Sequence, residues 1–285
     1  MKEIRDSDLN PGLYIVATPI GNLSDLSHRA VEILGKADLI AVEDSRVTGK
    51  LLHHLGIKRP MLPYHDHNAD QIRPRLLAEM ADKAVALVSD AGTPLISDPG
   101  YKLVRDARGA GHAVTTIPGP CAAIAALTLA GLPTDRFLFA GFLPAKAKAR
   151  EETIAELGGV RATLIFYESG HRLAATLAAL AAILGGRDAV VAREISKAFE
   201  ETVTGTLNTL AARYAKAPPK GEIVVVVAPP IDGEPPAVGQ DDADTLLRTA
   251  LEHLSVAKAA TEVARTTGLP RRELYARALI LKESD

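Results

Sequence analysis

Short, mostly apolar runs alternate with amphipathic stretches along the first half of this chain. Residues 13–17, 38–42, 84–88 and 113–117 read as strands, with the near-continuous apolar character of strands covered on both faces. Between and after them, 26–34, 47–55, 71–81 and 101–108 read as helices. In the first of these Leu26, Ala30, Ile33 and Leu34 share one face, and Gly35 reads as the C-cap. This strand–helix rhythm predicts a parallel sheet with helices on both faces.

The second half begins after a helix of small residues, 121–130, stopped by Gly131-Leu132-Pro133. Strands are expected at 137–140, 162–167, 189–192 and 223–227, and helices at 146–157, 171–184 and 207–214. A Pro-, Gly- and Asp-rich segment, 229–242, reads as a linker. Three helices follow at 245–254, 256–267 and 271–281, with a Gly268-Leu269-Pro270 break before the last. The expected fold class is therefore α/β: one α/β domain at 1–119, a second at 120–230 and a helical extension at 241–285.

Composition narrows the function classes. The chain has 285 residues and 47% hydrophobic residues, enough for a large core. Its net charge of −2 gives no global field to draw nucleic acid or an anionic membrane, so an RNA substrate needs a local basic patch. Trp is absent and aromatics are 4%, which argues against broad base-stacking platforms. Cys121 is the only cysteine, which excludes an intrachain disulfide and a cysteine-rich zinc site. The polar start, MKEIRDSDLNPG, and the lack of any 18-residue apolar run predict a cytoplasmic protein with no membrane partner.

The most informative segment is 89–100, SDAGTPLISDPG. Two Gly and two Pro break it too often for a helix or strand, and Leu95-Ile96 makes it too apolar for a solvated linker. It follows a buried-strand run, and open α/β sheets bind ligands at the carboxyl ends of their strands. An enzyme with its site near Asp90 is expected.

Other strand ends carry chemistry as well. Thr18-Pro19-Ile20-Gly21-Asn22 is a Gly turn before a helix, suited to a polar cofactor or to nothing more than a βα turn. Neither G-x-G-x-x-G nor G-x-x-x-x-G-K-[ST] is present. Glu43-Asp44-Ser45-Arg46 offers carboxylates for function, or an Asp cap for the next helix. Tyr64-His65-Asp66-His67-Asn68 reads as a loop covering a site or as inert surface. Its His-x-His lacks a third and fourth ligand at metal spacing, so no metal is expected. In Ile117-Pro118-Gly119-Pro120-Cys121-Ala122-Ala123, Cys121 reads as a small packing residue, without a neighbouring base in sequence. Further strand ends carry Gly141-Phe142-Leu143-Pro144 with Lys146, Lys148 and Arg150, then Tyr167-Glu168-Ser169-Gly170-His171-Arg172, then Ser196-Lys197-Ala198-Phe199-Glu200-Glu201. Polar groups at so many strand ends suit a cleft between two α/β domains.

Taken in order, TPIGNLSDLSHRA, AVEDSR, SDAGTPLISDPG, IPGPCAA, FLFAGFLP, FYESGHR and EISKAFEE resemble the tetrapyrrole (corrin/porphyrin) methylase superfamily over about residues 13–228. Within it the spelling is most similar to the ribosomal small-subunit methyltransferase I family, RsmI. Ile20 stands where the tetrapyrrole branch has proline, and Ala91-Gly92-Thr93 where it has Gly-Asp-Pro. The helical tail resembles the small C-terminal part of RsmI.

The resemblance implies two α/β domains with S-adenosylmethionine (SAM) in a cleft between them. It implies 2'-O-methylation of a decoding-centre cytidine of 16S rRNA, in the small ribosomal subunit, by a homodimer. It also implies that Gly21, Asp90, Ala91, Gly92, Leu95, Cys121, Ala122 and Glu168 line the cofactor site. A ribose hydroxyl needs a general base or a cation that stabilises developing alkoxide. Candidates for these roles are Asp44, Glu43, His65 and Lys197. Two alternatives stand beside this reading: a methyltransferase for a tetrapyrrole precursor, and a SAM- or nucleotide-binding module without catalysis. The basic residues at 146–150 and the Arg271-Arg272 pair favour an RNA substrate, with the tail as an RNA clamp or as a packing element.

Overall fold

The computed structural model describes residues 9–230, 240–267 and 269–283. The polar start through residue 8, residues 231–239 of the expected linker, and Gly268 of the expected break lie outside the described residues. The chain divides into two compact units. One comprises Met1–Ala126 with Arg193–Glu201, the other Leu127–Ala192 with Thr202–Asp285.

The first unit is built on β1 (Gly12–Val16), β2 (Leu39–Val42), β3 (Met61–Pro63), β4 (Ala84–Val88) and β5 (Val114–Ile117). They form one sheet in the order β3-β2-β4-β1-β5, and every pairing in it is parallel. The connecting helices are α1 (His28–Lys36), α2 (Ser45–His54), α3 (Ala69–Glu79) and α4 (Tyr101–Gly109), and α5 (Ala122–Ala130) follows β5. Side-chain alternation sorts the core into two layers. Ile40, Val42, Ala86 and Val88 pack with Ile33 and Leu34 of α1 and Leu52 of α2. Their neighbours Leu39, Ala41, Val85 and Leu87 pack with Leu76 of α3 and with Leu103 and Ala107 of α4. Both faces are covered, which explains the unbroken apolar runs in the sequence.

Parallel register fixes where the loops emerge. Val42 pairs with both Pro63 and Val88, Ile15 with Leu87, and Val16 with Ile117. The five strands therefore end together, and the segments after Val16, Val42, Pro63, Val88 and Ile117 leave the same edge.

The second unit carries β6 (Phe137–Phe142), β7 (Thr163–Ser169), β8 (Asp188–Arg193), β9 (Glu201–Thr206) and β10 (Glu222–Val227), in the order β6-β7-β10-β8-β9. This sheet is mixed: β6 runs parallel to β7, and β10 antiparallel to it. Its core joins Leu164, Phe166, Val191 and Val225 to helices α6 (Ala147–Gly158), α7 (Gly170–Leu184) and α8 (Leu207–Lys216). Three further helices, α9 (Gln240–Leu251), α10 (Val256–Thr267) and α11 (Arg271–Glu283), bury Leu247, Ala260, Val263, Leu274 and Ala278 in a cluster of their own. Among the described residues no helix is long and apolar enough to cross a membrane.

Local differences from the sequence reading have physical causes. The helix expected from Leu26 starts at His28, where Ser27 accepts a hydrogen bond from the Ala30 N–H; a 3-10 turn, Leu23–Asp25, precedes it. Gly35 lies inside α1 rather than capping it, since Ala37 closes the helix. β3 and β9 were not expected. β3 has three residues and pairs only at the sheet edge, and β9 (ETVTGT) is too polar to stand out.

Glycines separate tight sites from open ones. A Cβ at Gly170 would lie 1.9 Å from the Pro219 carbonyl oxygen, whereas one at Gly35 would meet nothing within 4 Å. Gly170→Ala is expected to destabilise the protein by about 1–3 kcal/mol, through the backbone shift that overpacking forces. Gly35→Ala is expected to be neutral or to stabilise by up to about 1 kcal/mol. Urea unfolding midpoints of the two variants check the contrast.

Candidate active site

The site is built from the loops at the carboxyl edge of the first sheet. Thr18, after β1, exchanges both backbone hydrogen bonds with Gly92, after β4: Thr18 N donates at 2.8 Å and Gly92 N returns at 3.1 Å. The buried Thr18 hydroxyl also donates to the Ser89 carbonyl at 3.3 Å. Thr93 then donates its hydroxyl to the Pro120 carbonyl at 2.9 Å, tying the β4 loop to the start of α5. Gly92 has φ +84°, where a side chain would be strained and would meet Ile20 at 3.4 Å.

The 89–100 loop holds unusual backbone. Leu95 and Ser97 lie at φ 75° and 65°, and Gly100 at φ 134° opens α4. The only other non-glycine residues with positive φ among those described are Glu194 and Ser196, in the Arg193–Glu201 segment grouped with this unit. Such conformations persist where surrounding structure enforces them and gather at functional sites.

Carboxylates concentrate on this edge. Asp90 accepts from the Asp44 backbone N–H at 3.0 Å, and its own N–H donates to Glu43 at 3.4 Å. Burial raises the pKa of Glu43, helped by Asp90 and Asp66 and opposed by the Asp90 N–H and by His65. Burial likewise raises that of Asp90. Asp98 goes further: burial, together with Glu43, Asp90 and Asp66, pushes its carboxyl up to about 6 against a hydrogen bond from Ser89.

Asp44 behaves differently. It caps α2, accepting from the Arg46 N–H at 2.8 Å, and its two oxygens take the Arg46 guanidinium at 2.6–3.1 Å. Those bonds hold its pKa down to about 2. The His65 backbone N–H donates to the Asn68 side-chain oxygen at 2.9 Å, and the His65 ring meets His67 edge-on at 5.9 Å. The His65 Nδ1 is buried without a hydrogen-bond partner among the described residues.

Lys197 is brought to the first loop from far along the chain. Its stem packs so close to Gly21 that a Cβ there would lie 2.2 Å from Lys197 Cγ. Glu194 holds the Lys197 ammonium at 2.9 Å. Beside it the Ser196 hydroxyl donates to Asp25, in the turn that follows Gly21. Glu194, Ser196 and Asp25 were missed in the sequence. The Ser196–Asp25 contact joins residues 171 positions apart, and Glu194 stands out only once Lys197, three residues on, is seen against the Gly21 turn. Cys121 is half-buried and its thiol is free; with Ala122 and Ala123 it gives the start of α5 a surface of small groups.

Glu168 lies in the second unit, and its carboxylate is engaged there. It accepts from the Thr176 hydroxyl at 2.5 Å and from the Ser169 N–H at 2.8 Å, and lies 3.5 Å from Arg172.

Comparison with known proteins adds an independent finding. Residues 12–211 match the family of tetrapyrrole (corrin/porphyrin) methylases, and residues 237–282 match the RsmI C-terminal HTH domain. Proteins named ribosomal RNA small subunit methyltransferase I are close in sequence. One from Erythrobacter litoralis is 57% identical over 96% of each chain. One from Mesorhizobium japonicum is 50% identical, covering 99% of this chain and 96% of that one. One from Escherichia coli O157:H7 is 46% identical, covering 98% and 99%. Among solved structures, a diphthine synthase aligns with TM-score 0.62 at 18% identity, over 76% of this chain and 89% of that one. A Thermus thermophilus uroporphyrin-III C-methyltransferase complexed with S-adenosyl homocysteine aligns with TM-score 0.53 at 20% identity, over 75% and 96%. At those identities the structures speak to the fold alone.

The Asp98 carboxyl generates a prediction about stability. Its native pKa, about 6, lies above the ordinary value of 3.8. Its contribution to stability is full below about pH 4 and is lost as pH rises through about 6. Asp98→Asn is therefore expected to raise the urea midpoint at pH 7, by an amount on the order of 1 kcal/mol after screening, and to leave it unchanged near pH 4. Equal midpoints at pH 7 would contradict this.

Proposed function

Because the chain belongs to the ribosomal RNA small subunit methyltransferase I family, within the tetrapyrrole methylases, we propose that it transfers a methyl group from SAM to small-subunit rRNA. The acceptor in this reading is the ribose 2'-oxygen of a decoding-centre cytidine of 16S rRNA. The observation that carries the reading is the match to relatives of that name over nearly the full length of both chains, tail included.

The residues at the sheet edge fit such a cofactor. A carbon added at Gly119 would crowd the Ala17 methyl at 2.9 Å, and Gly92 lies at φ +84° where a side chain is strained, so backbone and methyl-sized groups make the wall. Gly21, Asp90, Ala91, Gly92, Leu95, Cys121 and Ala122 would hold the cofactor. Asp90 would accept charge-assisted hydrogen bonds from a ribose hydroxyl or the methionine ammonium. Glu168, its carboxylate engaged by Thr176, Ser169 and Arg172, serves to position its own strand end. Bound there, SAM supplies a methyl group on a sulfonium, open to in-line displacement by the acceptor oxygen.

The chain's own task is to place that oxygen and manage its proton. Glu43 is our choice of base: its raised pKa makes its carboxylate a better proton acceptor than Asp44. Asp44 has its oxygens committed to Arg46 and the α2 cap, and serves to position the Glu43 loop. Lys197, ion-paired with Glu194 at 2.9 Å beside the Gly21 turn, is our choice of cation to steady negative charge on the acceptor oxygen. His65 lies beside Glu43 and opposes the rise in its pKa.

The reading is tested by incubating the protein with methyl-labelled SAM, small ribosomal subunits, protein-free 16S rRNA and uroporphyrinogen III. Label in RNA is expected; label in the porphyrinoid alone would overturn it. Asp90→Ala should weaken SAM binding by about 1–3 kcal/mol in calorimetry, as loss of a charged hydrogen bond does. Unchanged affinity in a folded variant would remove Asp90 from the cofactor site.

A base is active only when deprotonated, so the wild-type rate should fall as pH drops through the raised Glu43 pKa. Glu43→Gln should lose about 10²–10⁴ in single-turnover rate, along with that acid limb. Lys197→Met should lose about 10²–10³ while keeping SAM affinity. An acid limb that persists in Glu43→Gln would move the base elsewhere.

A further inference from the structure

From residue 45 to residue 65 the chain carries no Asp or Glu, although the whole chain has 35 of them against 33 Lys and Arg. The same stretch holds Arg46, Lys50, His53, His54, Lys58 and Arg59. The other basic runs singled out in the sequence have acids at hand: Glu151 and Glu152 follow Arg150, with Lys148 4.0 Å from Glu152, and Glu273 follows Arg271 and Arg272 directly. None of Lys50, His53, His54, Lys58 and Arg59 has an ion-pair partner among the described residues, and all five are exposed.

α2 arranges these charges in a line. Arg46, Lys50, His53 and His54 stand at i, i+4, i+7 and i+8, the spacing of one helix face. The helix starts at the carboxyl edge of the sheet, where Asp44 caps it. At roughly 1.5 Å per residue its ten residues carry the line about 15 Å away from that edge. Where the line ends, a groove of about 440 Å³ opens, lined by His53, Lys58 and Arg59 together with Gly49, Leu52 and Met61.

The acidic edge makes this arrangement meaningful. Glu43, Asp66, Asp90 and Asp98 sense one another electrostatically and would repel a polyanion. A ribose that enters there needs its flanking phosphates held by cations set back from the cluster. Arg46, paired with Asp44 yet still 86% exposed in its side chain, stands at the boundary. We propose that the α2 line and the Lys58–Arg59 groove bind the phosphate backbone of the substrate RNA beside the target nucleotide. This rests on the reading of the protein as an rRNA methyltransferase, and it names the surface that the chain's net charge of −2 leaves unprovided.

The test uses the full chain with Lys50, Lys58 and Arg59 changed together to Ala. Binding to protein-free small-subunit rRNA and to assembled small subunits is measured across a salt series, with SAM affinity measured in parallel. SAM affinity should be unchanged. RNA affinity at low salt should fall at least about tenfold, and the slope of log K against log salt should flatten by about two to three units, since each phosphate contact contributes about 0.7–0.9. In methyl transfer KM for RNA should rise with kcat largely kept. Wild-type slope and affinity in the triple variant would overturn the proposal, most plainly if Lys146→Ala with Lys148→Ala carried the loss instead. A wild-type protein that bound neither RNA would overturn the rRNA reading itself, and the proposal with it. Binding retained by wild type and by the variant alike would overturn the surface alone.

Discussion

The candidate site depends on one exchange of backbone hydrogen bonds, between Thr18 and Gly92. β1 and β4 are neighbours in the sheet, and their chains diverge where the strands end. The exchange is an antiparallel bridge just beyond the parallel pairing of the two strands, and it fixes the 89–100 loop over the β1 turn. Thr93 then ties the same loop to Pro120, so the ends of three strands are joined by hydrogen bonds. Left-handed backbone at Leu95, Gly92 and Ser97 is tolerable because these bonds hold it from both sides. A site that must place a nucleophile in line with a methyl group gains most from this kind of rigidity.

Charge is distributed with equal economy. The sheet edge collects carboxylates whose burial, with repulsion from neighbouring carboxylates added to it, raises the pKa values of Glu43, Asp90 and Asp98, while Arg46 neutralises Asp44 at the start of α2. Glu194 confines the Lys197 ammonium to the Gly21 turn. Cations without acidic partners lie farther along α2 and at Lys58 and Arg59. A polyanion therefore meets attraction beside the site and repulsion within it. That arrangement would admit a nucleoside while holding its phosphates outside.

Much of the first unit was legible in the sequence because its signals are local. Short apolar runs gave β1, β2 and β4, a β-branched run gave the edge strand β5, and punctuation by Gly and Pro marked the 89–100 loop as special. The alternative of Asp44 as a helix cap was also legible, since Asp before a helix start is a local preference. What stayed hidden is what folding brings together. Lys197 meets Gly21, and Ser196 meets Asp25, only because the segment after β8 is grouped with the first unit. The raised pKa of Asp98 comes from burial and from neighbours on three other loop positions, none of them adjacent in sequence. The acid-free stretch through α2 was visible all along, but the chain-wide balance of charge conceals it until the helix puts its members on one face.

The chemistry of the acceptor is the centre of this account, and alkaline hydrolysis reads it directly. RNA cleavage by base requires a free 2'-hydroxyl, so a methylated 2'-oxygen protects one linkage and a methylated base protects none. Small-subunit rRNA lacking the modification is treated with the protein and SAM, then hydrolysed with alkali and mapped. The account predicts one newly protected linkage, 3' to a cytidine of the decoding centre, and none without SAM. Methyl incorporation into the RNA without any protected linkage, or protection at a different nucleotide, would contradict it.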